Sequence, residues 1–95
     1  MNISELLALA IQKAQLKNKR QLAAKLNIAE AHMGKYQKGH YLPSDETLFK
    51  LCRLAETDPA QWLLWARMQR EEGEARQEWE KIAAIYVKET STQVA

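Results

Sequence analysis

One cysteine, two prolines and three glycines among 95 residues leave this chain with little covalent or conformational punctuation. Cys52 alone excludes an intramolecular disulfide and leaves no thiolate cluster for a structural zinc site, which fits a reducing interior. No stretch approaches the roughly 18 apolar residues that a membrane span needs. Met1-Asn2-Ile3-Ser4-Glu5 carries no basic segment ahead of an apolar run, so the expected location is cytoplasmic, away from any membrane. No alternating run is long enough for a β-strand, and there is no repeat or low-complexity tract. A nucleophile elbow, a phosphate-cradling loop and a metal-ligand set are likewise missing. The expectation is therefore a protein that is not an enzyme, with no cofactor, no metal and no evident small-molecule ligand.

What is present suits one all-α domain. A hydrophobic content of 46% supports one modest core, and a chain this short gains from burial against partner chains. The net charge is only +2, but it is unevenly spread. Residues 1–43 carry seven Lys/Arg against two acids, and residues 44–95 carry seven against ten. A basic N-terminal half suits a phosphate backbone, although a solvated basic face would look similar.

Apolar residues at Ile3, Leu6, Leu7, Ala10, Ile11 and Ala14 recur at i, i+3, i+4 and i+7, which predicts a first helix over about 3–16. Asn18 and Gln21 resemble a capping box and open a second helix that carries Leu22, Ala23 and Leu26. Asn27-Ile28 interrupts it. A third helix then resumes with Met33 and Tyr36 on its inner face and ends at Gly39; Ala29 opens it without a capping side chain, although Glu30 suits the helix dipole. Small Ala23 lets these two helices approach, Ile28 plugs the turn, and Glu30, Ala31, His32 and Lys35 face outward. After the loop His40-Tyr41-Leu42-Pro43, Ser44 caps a fourth helix to about Ala55, with Leu48, Leu51, Cys52 and Ala55 on one stripe. Cys52 reads there as a small apolar residue rather than a nucleophile. Asp58-Pro59 starts a fifth helix through Trp62 and Trp65 to about Arg70. Gly73 either breaks the helix there or weakens a continuous one. Trp79, Ile82, Ile85 and Tyr86 mark a sixth, amphipathic helix, and the polar tail from Glu89 is expected to fray.

From Asn18 to about Trp62 the chain resembles the Cro and repressor type of helix-turn-helix regulator, XRE-like and lambda-repressor-like in fold. The residues that carry the likeness are Gln21-Leu22-Ala23-x-x-Leu26, the Ile28 plug, Met33 and Tyr36, Gly39, Pro43, and Leu48-x-x-Leu51-x-x-Leu54. A looser likeness, over Asp58-Pro59-x-x-Trp62-Leu63-Leu64, Arg67-x-x-Arg70 and Trp79, is to small phage and filamentous-prophage regulators. The resemblance implies a five-helix DNA-binding domain over 1–70. It also implies that the third helix enters the major groove, with Glu30, Ala31, His32 and Lys35 as base readers. Lys19, Lys38 and His40 would meet the DNA backbone, joined by Lys17 and Arg20. Gly34 stands where a small polar residue is usual, and Gln37 where an acid is frequent.

Several residues also have plainer readings. Met33 and Tyr36 turn inward as core, and Trp62, Trp65 and Tyr86 at helical spacing are core or interface rather than a ligand cage. His32 and His40 lack partners for a metal. The acids at Glu71, Glu72, Glu74, Glu78 and Glu80 lie on a solvated helix without the enclosure that tunes a catalytic carboxylate. Residues 71–95, with Trp79, Ile82, Ile85 and Tyr86, are expected to join two copies into a homodimer. The whole reads as a repressor that binds a pseudo-palindromic operator on double-stranded DNA. The competing reading is a protein-interaction module, an antitoxin or anti-repressor, on the same scaffold.

Overall fold

A computed structural model of the chain describes residues 2–39 and 41–93, with side chains through residue 90. The described residues are all-α. Six helices follow in order: α1 (Ile3–Lys13), α2 (Lys19–Leu26), α3 (Glu30–Lys38), α4 (Asp45–Ala55), α5 (Pro59–Arg70) and α6 (Gly73–Gln93). Among the described residues no helix is long and apolar enough to cross a membrane.

The chain falls into two compact units that divide between Pro59 and Ala60, where the sequence leads to one compact unit with a part over 1–70 followed by a C-terminal helix and tail over 71–95. In the first unit, α1 is the central element, packed against α2, α3 and α4. Its Ile3, Leu6, Leu7 and Ala10 are buried with Leu22, Ala23 and Leu26 of α2, Met33 and Tyr36 of α3, and Leu48, Leu51, Cys52 and Ala55 of α4. These are the stripes that the helical spacing predicts, with Ile11 and Ala14 of the first stripe only half-buried.

Helix ends in this unit are set by local hydrogen bonds. Asn2, Asn18 and Ser44 each accept from the backbone N–H three residues on, at 2.8, 3.0 and 3.2 Å. Gln21 does reach back from α2, but its Oε1 accepts from the N–H of Lys17 at 2.7 Å, one residue ahead of the Asn18 cap expected for a strict capping box. The first helix ends earlier than its apolar spacing suggests. Gln15 takes a left-handed φ of 58°, and the Leu16 N–H turns back to the Ile11 carbonyl at 2.9 Å, which closes α1 at Lys13. Asn27 repeats the device at φ 57°, with the Ile28 N–H donating to the Ala23 carbonyl at 3.0 Å. That closure brings half-buried Ile28 into the α2–α3 turn.

In the second unit, Trp62 and Ala66 are buried, and the Trp62 and Trp65 rings meet edge to face at 5.5 Å. Gly73 does interrupt the helix: it adopts φ +62°, separating α5 from α6. The polar tail was expected to fray from Glu89, but α6 runs on to Gln93. Its intrahelical support includes the Thr90 hydroxyl donating to the Tyr86 carbonyl at 3.0 Å, and Arg76–Glu80 and Lys81–Glu78 pairs at 3.1 and 3.0 Å. No α6 side chain through residue 90 is fully buried.

Candidate nucleic-acid interface

Helices α2 and α3, joined by the Asn27-Ile28-Ala29 turn, form a helix-turn-helix. Burial of Met33 and Tyr36 fixes the rotation of α3 about its axis, and Glu30, Ala31, His32 and Lys35 are left exposed. Lys17, Lys19, Arg20 and Lys38 are exposed as well. His40, the remaining expected backbone contact, lies outside the described residues.

Two sets of contacts organise this surface. At its leading edge, Arg20 Nε stands 3.8 Å from a carboxylate oxygen of Glu30, linking the start of α2 to the start of α3. Both side chains are largely solvated, at 82% and 64% exposure, so the pair is weak and either partner can exchange it for another ligand. The Ala29 N-cap provides no side-chain hydrogen bond, and Glu30 alone supplies negative charge to the first turn of α3.

Along the other edge is an aromatic cluster that spacing alone did not identify. The Tyr41 ring meets Tyr36 edge-on, at 5.4 Å between centroids and 90° between planes, and meets His32 at 6.0 Å and 78°. Lys35 Nζ lies 5.5 Å from the same Tyr41 centroid. His32 and Tyr36 are tilted neighbours at 6.5 Å. Tyr41 thus touches two of the expected readers and anchors on the buried Tyr36. Burial, reinforced by Tyr41, raises the Tyr36 hydroxyl pKa above its ordinary 10.0, so it stays neutral. Pro43 is fully buried just beyond, which pins the loop that carries Tyr41. The only sequence signal for this role is a tyrosine two residues before a proline, and that alone does not separate it from an ordinary loop residue.

No family model, curated protein or solved structure matches the chain. Lys35 and His32 present exposed donors, Glu30 an exposed acceptor and Ala31 an exposed methyl, a mixed polar and apolar surface. Gly34 has nothing within 4 Å of where a Cβ would stand, so packing does not require its missing side chain.

The residues expected to dimerise behave differently from one another. Ile82 and Ile85 are 45% and 61% exposed, whereas Trp79 and Tyr86 are half-buried, and Trp79 carries the Arg67 guanidinium 5.3 Å from its ring centroid. Val87, not among the expected residues, extends the open apolar surface at 51% exposure.

Proposed function

We propose that this chain is a cytoplasmic, sequence-specific DNA-binding transcriptional regulator of the Cro/repressor helix-turn-helix type, a non-catalytic homodimer that occludes a pseudo-palindromic operator. A phage or prophage repressor is the most specific form of this reading. One observation carries it: α3 buries Met33 and Tyr36 and turns Glu30, Ala31, His32 and Lys35 outward, with Lys17, Lys19, Arg20 and Lys38 exposed around it. The outward set has the size and chemistry to lie in a major groove, and the flanking cations suit its phosphates. Gly34 and Ala31 leave few base-reading side chains, so DNA shape contributes to selectivity.

Selection of bound sequences from a random duplex library at two salt concentrations tests this reading, because phosphate contacts make affinity salt-dependent. The expected product is an inverted repeat with half-sites about 34 Å apart, one helical turn. Salt-sensitive binding without a motif would overturn sequence-specific regulation. The exposed Ile82, Ile85 and Val87 on α6 favour one second reading, a protein-interaction module that uses this face for a different protein. Purified protein that remains monomeric with that face open would support the second reading over the first.

A further inference from the structure

A groove of about 240 Å³ opens on the first unit between α2 and α4, lined by Lys25, Leu26, Phe49, Lys50, Arg53 and Leu54. Its floor is apolar and its rim carries three cations, with no acid among the lining residues. Phe49 is 40% exposed there, although the neighbouring Leu48 and Leu51 are fully buried. The Arg53 guanidinium stands 5.1 Å from the Phe49 centroid and covers part of its face. Lys50 reaches Glu46 at 3.4 Å across a solvated i, i+4 pair, which a competing carboxylate can replace at little cost. Among the described residues Lys25 has no ion pair. No α3 residue lines the groove, so it is separate from the exposed readers.

The hollow is smaller than the roughly 300–1,000 Å³ of sites that enclose a small molecule. It fits one anchoring side chain of something larger. A duplex would satisfy the cations through its phosphates, but its thymine methyls lie within the major groove, away from the phosphates that would meet this rim, and Arg53 already occupies the Phe49 face on which a base would stack. An acidic amphipathic helix supplies both components: apolar side chains at i, i+3 and i+4 for the floor, and carboxylates on its flanks for the rim. We propose that the α2–α4 groove docks an acidic amphipathic segment of another protein, with an apolar anchor among Leu26, Phe49 and Leu54 and carboxylates on Lys25, Lys50 and Arg53. This goes beyond the DNA reading and does not depend on it. It gives the first unit a second surface through which a protein partner is received.

The test is a titration of the ¹⁵N-labelled full chain with a synthetic helical peptide of Leu, Phe and Glu, and with its counterpart carrying Lys for every Glu. The expected result is saturable shifts centred on Lys25, Leu26, Phe49, Lys50, Arg53 and Leu54, with the Lys peptide at least tenfold weaker. In the chain carrying Lys25→Glu and Arg53→Glu, binding of the Glu peptide should fall by a similar factor while far-UV circular dichroism stays unchanged. Equal shifts from both peptides, which needs no variant to observe, would overturn the proposal. So would displacement of the peptide by a random duplex acting on the same resonances, which would assign the groove to nucleic acid. Movement of those resonances on simple dilution would assign it to a second copy and would also overturn the proposal.

Discussion

The Lys35 ammonium stands 5.5 Å from the centroid of the Tyr41 ring, which is itself held edge-on by buried Tyr36 at 5.4 Å. A flexible lysine on an open helix face otherwise loses rotamer freedom when it binds. The ring restricts that freedom beforehand, which makes Tyr41 a positioning residue for Lys35 and His32. A cation–π contact at an exposed site contributes about 0.5–1 kcal/mol. Tyr41→Ala should therefore weaken cognate operator binding about two- to fivefold while leaving non-specific binding intact, and Tyr41→Phe should retain the wild-type preference. Equal weakening on all duplexes would move Tyr41 from positioning to general support of the fold.

Lys35 and Lys19 are both exposed, but on different helices of the helix-turn-helix. Lys35→Ala should cost about 1–3 kcal/mol at the cognate site and relax base preference at one position. Lys19→Ala, at the start of α2 where free amides also favour an anion, should weaken all sequences alike and lower the salt slope by about one. Competition binding against cognate and scrambled duplexes separates the two, and equal losses for Lys35→Ala on every duplex would remove it from the base readers.

Gly34 sits inside α3 with open space where its Cβ would project, and its φ is not in the left-handed region. Replacing it by Ala should stabilise the protein by about 1 kcal/mol, since glycine is the poorer helix former. For a domain of this size that raises Tm by about 4–8 °C. Close approach of the α3 backbone to DNA would make the same methyl unfavourable in the complex, so operator affinity should drop as Tm rises. A calorimetric scan paired with a binding isotherm reads both, and a gain in each would leave the glycine without a role in docking.

Much of this was legible in the sequence because it depended on period and local chemistry. Leu22, Ala23, Leu26, Met33 and Tyr36 mark inward faces that the structure buries, and Asn18 and Ser44 cap the helices that they precede. Of the three helix ends set by non-glycine residues at positive φ, those at Asn27 and Glu56 fall where the sequence places them, but the one at Gln15 was not legible. Gln15 ends α1 at a position where glutamine carries no turn signal, so the apolar spacing ran past the true end. The α6 tail failed for the opposite reason: Glu89, Thr90 and their neighbours have no apolar period, but polar residues continue an established helix at small cost per residue. Tyr41 and the α2–α4 groove depend on which loop and helix surfaces meet in space, and no single helix's period encodes that.

Burial, reinforced by Asp58, raises the Cys52 thiol from 9.0 to about 11. The unfolded chain thus loses this proton first, so that above about pH 9 it binds fewer protons than the folded chain. Stability from this group is complete below pH 9 and falls as pH rises towards 11. Tyr36 acts in the same direction from about pH 10, its ordinary value. Urea unfolding from pH 8 to 10 should show a decline in wild type that is flattened in Cys52→Ala, even though that variant starts less stable because of the volume removed. An identical decline in both would show that the thiol does not couple to folding. The same elevation predicts slow alkylation of the native thiol and rapid alkylation in urea.

Ile82, Ile85 and Val87 remain substantially exposed on α6, while Trp79 is partly covered by Arg67. Trp79 is therefore a poor probe of association, because changing it also disturbs packing within its own unit. Ile85, at 61% exposure, touches little that a substitution could break. Ile85→Glu should leave helix content and Tm nearly unchanged at low concentration, yet convert a sedimenting dimer to a monomer by placing a charge where two apolar faces meet. Operator affinity should then fall and become steeply dependent on protein concentration, because each monomer grips only one half-site. A duplex carrying a single half-site should bind wild type and variant equally, since neither needs a second copy there. An unchanged sedimentation mass for Ile85→Glu would take the dimer interface away from α6 and leave that face to a different protein.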